Sequence, residues 1–298
     1  MKKVLMFVLA AALATATYAQ ELNPAHGNGN GNNQGNNEDQ GGDHGGTDNH
    51  AAAAAGSGNL RYHTGGVVIR NANVVLIFWG PSFASGGADN GYATSIQGFR
   101  NQFGTTGEYN TVTQYYGEDP VSGYGNIATG SLVNQADMFD TTTPPTSVTD
   151  ATVQTEVKKY ITAHGVDYNA IYEVFIPKTS YSSDSGSTSC GGPSLGYCAY
   201  HSSYTDGASK KVKYSIEPWP GCSGCSVSGW TTAQNQEHFV CHETREAVTD
   251  ALGNAWFDRV GYEADDKCAW SPTPFIGTGG YGYQYEYSNA TSSCVKTR

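Results

Sequence analysis

The sequence predicts a mixed α/β (α+β) fold. Three observations carry this: short apolar runs with the length of buried strands, helical spacing between them, and a long capped helix near residue 240. Residues 74–79 (VVLIFW) are apolar throughout, as in a strand covered on both faces. Residues 67–70 read as a partner strand across the turn Asn71-Ala72-Asn73. Between 92 and 103, Ile96, Phe99 and Phe103 recur at helical spacing. Thr149-Asp150 supplies an N-cap for a helix reaching about His164, closed by Gly165. Residues 170–176 form another strand, stopped by Pro177; a Ser-rich, Cys-containing loop follows, then a strand over 211–217. No repeat or Gly-rich linker interrupts 59–298, so one domain is expected there.

The chain before that domain reads differently. Residues 1–19 begin with Lys2 and Lys3, continue as an apolar stretch and reach small residues at Ala19, the pattern of a secretory signal peptide cut before Gln20. The apolar stretch is too short to span a bilayer comfortably. Residues 20–58 are Gly/Asn-rich and lack apolar periodicity; they read as a disordered tether that cannot offset its ordering entropy. Removing Lys2 and Lys3 takes the formal net charge from −11 to −13. A surface that acidic repels phosphate backbones and anionic lipids, which excludes nucleic acid and membrane as partners of the mature chain. The expected location is secreted, extracellular or periplasmic.

All 7 cysteines lie after residue 189, and an exported chain meets an oxidising compartment, so disulfides are expected. Sequence proximity suggests Cys190–Cys198, Cys222–Cys225 and Cys268–Cys294, leaving Cys241 as a buried free thiol. A four-cysteine zinc site is the rival arrangement.

The segment with chemistry in it runs from Thr231 to Asp250. Thr231 or Thr232 caps a helix that Gly253-Asn254 ends, and inside it stands His242-Glu243-x-x-Glu246. Positions 242 and 246 are one turn apart, so both side chains leave one face and can grip one ion. Glu243 is rotated by about 100° from His242, which lets it reach a water beside the ion without binding the ion itself. This is the division of labour of the zincin helix, with Glu246 replacing the second His. The expected fold is then a single zincin-like domain with a mixed sheet, a metal-binding helix and disulfide-stabilised loops. A third ligand can come from Glu263, Asp265 or Asp266; Asp265 or Asp266 can instead orient the His242 ring. Zinc is the expected cofactor, although carboxylate-rich donors also suit other divalent ions.

His242-Glu243-x-x-Glu246-Ala247-x-Thr249-Asp250, then Asn254-Ala255-Trp256, then Tyr262-Glu263-x-x-Asp266-x-Cys268 resembles the Exordium (phosphate-induced protein) family. Cys198-Ala199-Tyr200-His201 and Cys222-Ser223-Gly224-Cys225 are similar to that family's cysteine-bearing segments, and the strand ending in Trp79-Gly80 to its start. The resemblance covers about residues 65–270, in patches. It implies a secreted α/β protein with a metal helix, His242, Glu246 and Glu263 as ligands, and Glu243 as base. Arg245 departs from the smaller or apolar residues of that pattern; a guanidinium there can pair with Glu246 or Glu243 and blunt either. In plants the family is tied to growth and cell-wall signalling.

Other residues leave alternatives open. His238, one turn before His242, is a rival ligand, with a partly exposed helix histidine as the plainer reading. His201 is a ligand, an oxyanion donor or a loop hydrogen bond. Asp250 is placed to cap the helix or orient Arg245, and Trp219, Trp230 and Trp256 with the C-terminal tyrosines to line a saccharide platform. The expected activity is metal-dependent hydrolysis of a peptide or cell-surface substrate, with a non-catalytic binding or signalling protein as the alternative.

Overall fold

A computed structural model describes residues 58–298. The signal peptide and residues 20–57 of the tether lie outside the described residues.

The centre is a five-stranded mixed sheet. Its strands are β1 (Asn73–Trp79), β2 (Met138–Asp140), β3 (Ala170–Phe175), β4 (Tyr200–Thr205) and β5 (Lys211–Glu217), in the order β4-β5-β3-β1-β2. The pairs β1/β2, β1/β3 and β3/β5 are parallel, and β4 joins β5 antiparallel at the edge. Among the described residues three helices cover the sheet: α1 (Asn90–Phe103), α2 (Asp150–His164) and α3 (Thr232–Thr249).

Strand alternation assigns the two faces. Val75, Ile77, Tyr172, Val174, Tyr214 and Ile216 pack with Val153, Val157 and Tyr160 of α2. Val74, Leu76, Phe78, Ile171 and Phe175 pack in a cluster with Phe99 and Phe103 of α1 and Val240 and Val248 of α3. Each buried Val, Leu, Ile or Phe side chain is worth about 1.5–3 kcal/mol, so these two layers hold the framework together.

The face beneath α3 is different. On β4 and β5 the residues out of phase with Tyr200, Tyr214 and Ile216 are His201, Ser203, Lys213, Ser215 and Glu217, all buried. On β3, Glu173 accepts a hydrogen bond from Thr244 of α3 at 2.7 Å. Glu217 accepts one from Gln236 of α3 at 2.7 Å. Every residue of α3 from Asn235 to Thr249 is buried. A polar helix ordinarily faces water; here it is sunk into the protein on a polar floor.

Several sequence expectations hold and several do not. Thr149 caps α2, with its side chain accepting from Thr152 N, and Gly165 closes the helix at φ 83°. Thr231, not Thr232, caps α3, through a capping box shared with Gln234. Residues 67–70 form no strand: Val68 and Ile69 donate singly to the carbonyls of Glu118 and Val248. The Ser-rich loop hides β4, whose sequence YHSSYT lacks an apolar run because its α3-facing side is polar. Asp250 does not serve Arg245; its Oδ1 accepts from the amides of Asn254 and Ala255 and shapes the turn after α3.

The disulfides are Cys190–Cys222, Cys198–Cys225 and Cys268–Cys294, with Cys241 free and buried. Two of the pairs expected from sequence proximity are therefore wrong. The β4–β5 hairpin returns the chain beside residues 190–198, so Cys222 and Cys225 face across to that segment rather than to each other. Bonded sulfurs also remove the four-cysteine zinc arrangement. The disulfides point to an extracellular or otherwise oxidising compartment. No helix among the described residues is long and apolar enough to cross a membrane.

Candidate metal centre

Three segments meet above the polar floor. Helix α3 brings His242, Glu243 and Glu246; β4 brings His201; the loop before Cys268 brings Glu263 and Asp266. The i, i+4 spacing sets His242 Nε2 3.0 Å from Glu246 Oε2. Asp266 Oδ1 lies 3.6 Å from the same nitrogen. His201 Nε2 lies 3.8 Å from Glu246 Oε2 and 3.5 Å from Glu263 Oε2. One donor atom each from His242, Glu246 and Asp266 falls within 4.8 Å of the others, and the same holds for His201, Glu243 and Glu246. Glu246 Oε2 is thus the hinge between two overlapping donor groups.

The loop arrives there for identifiable reasons. Glu246 Oε1 accepts from the backbone amides of Asp265 and Asp266 at 3.0 and 2.9 Å, and Asp266 Oδ2 from the amide of Glu263 at 3.1 Å. Cys268–Cys294 pins the loop two residues beyond Asp266, and Cys198–Cys225 pins β4 three residues before His201. On the far side of the site, the C-terminal segment crosses α3 closely. Gly282 donates to Glu237 at 2.9 Å, and a Cβ at Gly282 would stand 2.1 Å from the Gln234 carbonyl oxygen. That crossing sets Gln284 beside the His242 ring, with Oε1 3.2 Å from Nδ1.

Arg245 leaves the helix away from this cluster. Its guanidinium pairs with Asp265, approaches Glu286 at 3.6 Å and donates to the backbone carbonyl oxygens of Glu108 and Gln284. The blunting of Glu246 or Glu243 considered from sequence gives way to a buried anchor for the loop and the C-terminal segment.

Burial shapes the titration. His201 is 1% exposed, and burial lowers its pKa to about 4 against the Glu246 carboxylate that raises it, so the ring is neutral. Burial, and then the charges of Glu246, Asp250 and Asp266, push Glu263 well above the usual carboxylate range. His238 is fully buried rather than partly exposed, edge-on to Trp230 and Trp270, and burial takes its pKa to about 3.

The residues fit a divalent metal. Both ring nitrogens of His201 and Oε1 of Glu263 are buried without a hydrogen-bond partner, an arrangement that costs on the order of 1–3 kcal/mol per group unless a ligand satisfies it. Imidazole and carboxylate donors suit zinc, and several carboxylates in one buried cluster call for a cation to offset them. Sequence reasoning singled out all of these residues but missed Gln284, whose only local signal is the nearby Gly282. Trp219, Trp230 and Trp256 pack against different partners, Tyr92, His238 and the Tyr115–Tyr116 pair, so they do not share one platform. A cleft of about 550 Å³ at the start of α2, lined by Asp150, Gln154, Ser183 and Asp184, shares no residue with the metal cluster.

Comparison of the chain with protein families, with curated proteins and with solved structures returned no match.

Proposed function

We propose that the protein is a secreted metal-dependent hydrolase of zincin-like architecture, acting on peptides, with zinc held by His242, Glu246, His201 and Glu263 and flanked by Asp266. One observation carries this reading: the base carboxylate of the HExxE helix, Glu243, converges with His201 and Glu246 on one buried spot. The bound cation supplies Lewis acidity, polarising a carbonyl and lowering the pKa of water toward neutrality. Glu243 takes the proton from the attacking water and delivers it to the leaving amine. His201 points into the donor cluster, which favours a ligand role over donation to an oxyanion. Burial of the floor excludes bulk water and strengthens these electrostatics.

A second reading is favoured by a specific observation. His201, His242, Glu246, Glu263 and Asp266 are each at most 5% exposed, and five such donors are enough to close a coordination sphere. In that case the chain is a non-catalytic Exordium-type binding or signalling protein with a structural metal. Chelation separates the two. The hydrolase reading expects peptide cleavage to stop on metal removal and return on adding Zn²⁺, with the fold retained by circular dichroism. Absence of cleavage by the metal-loaded protein across a peptide library, together with a large fall in melting temperature on chelation, would favour the structural metal.

A further inference from the structure

The hydrogen-bond chain behind His242 determines which of its nitrogens faces the cluster. Gln284 Nε2 donates to the backbone carbonyl of Asp265 at 2.7 Å. A carbonyl only accepts, so the amide nitrogen must lie on that side and the amide oxygen on the other. That oxygen, Oε1, is the atom 3.2 Å from His242 Nδ1. It too only accepts, so Nδ1 must carry a hydrogen. The amide has little freedom to turn over, because both segments around it are held. Arg245 grips the Asp265 carboxylate and donates to the Gln284 carbonyl oxygen at 3.1 Å. The Glu246 carboxylate in turn holds the amides of Asp265 and Asp266.

We infer that Gln284 is a positioning residue that fixes His242 as the Nδ1–H form and reserves Nε2, the nitrogen facing Glu246 and Asp266, for a divalent cation. The inference rests on the metal-centre reading and adds a residue to it from the C-terminal segment. Arg245 and Asp265 act through Gln284: they keep the acceptor aimed at the ring. A partner of this kind both orients the ring and raises the basicity of the ligating nitrogen, and loss of such partners typically weakens metal binding by about 10–100-fold.

The test uses the mature chain with ¹⁵N-labelled histidine, zinc-free and loaded with Zn²⁺, with the His242 signals assigned by their absence in His242→Gln. The expected result is a proton on Nδ1 in both states and coordination through Nε2 in the loaded one. Gln284→Leu should weaken Zn²⁺ binding in a chelator competition by about 10–100-fold. It should also weaken the Nδ1–H signature, which a merely structural side chain would leave alone. Coordination through Nδ1, an unprotonated Nδ1 in the zinc-free chain, or unchanged Zn²⁺ affinity in a folded Gln284→Leu each overturns the proposal. If that variant fails to fold, the wild-type nitrogen assignment decides. A wild type that binds no Zn²⁺ sinks the metal reading instead, and leaves the Nδ1 assignment to be judged in the zinc-free protein.

Discussion

Glu243→Gln is expected to retain the metal and lose hydrolysis by about 10²- to 10⁴-fold, the range that a positioned general base contributes. The argument lies in the register of α3. His242 and Glu246 share a face one turn apart, and Glu243 is turned off that face yet still reaches the spot where His201 and Glu246 converge. Glutamine keeps the size and the hydrogen-bonding oxygen of the side chain and removes its ability to take a proton. The expected loss therefore falls on kcat, with little change in metal content or melting temperature. Peptide cleavage measured beside metal content checks both halves. A variant that cleaves as fast as wild type would remove Glu243 from the mechanism.

The second large effect concerns stability. Arg245 is fully buried, and its partners Asp265 and Glu286 are fully buried as well. Burial and Coulomb attraction oppose each other at Arg245, and the attraction to Asp265 prevails, holding the guanidinium charged. Replacing one member of such a pair leaves the other as an uncompensated buried charge, at a cost of about 3–5 kcal/mol. Arg245→Met keeps the volume and removes the charge, so it should destabilise by that amount in denaturant unfolding. Arg245→Met combined with Asp265→Leu should recover part of the loss, because the nearer of the two stranded carboxylates is then gone and only Glu286 remains. Equal destabilisation by the single and double variants would mean that packing, rather than the ion pair, sets the role of Arg245.

How much of this was legible in the sequence depended on whether the signal was local. The strand at β1 and helices α1 and α2 announce themselves through apolar runs, spacing and caps. The metal helix does so because His242, Glu243 and Glu246 lie within one turn and a half, and Glu263 and Asp266 follow within a short return. His201 was only one of several readings, since its strand is disguised: β4 turns polar residues toward a polar helix, and no apolar alternation survives to mark it. The disulfides paired across a hairpin that proximity in sequence could not show. Gln284 left almost no trace, because its role arises from a tertiary crossing of α3. His238 reads from sequence as a partly exposed helix residue for the same reason; its burial comes with Trp230 and Trp270, which stand edge-on to the ring, not from the helix pattern.

The central claim is that the buried His and carboxylate cluster holds one divalent metal ion. The most direct measurement is elemental mass spectrometry of the purified, oxidised mature chain after reloading with Zn²⁺, beside His242→Ala. The account predicts about one equivalent of zinc in the wild type and little or none in the variant, since structural and catalytic zinc alike depend on their full donor set. No metal in the reloaded wild type, or an unchanged equivalent in His242→Ala, would contradict it.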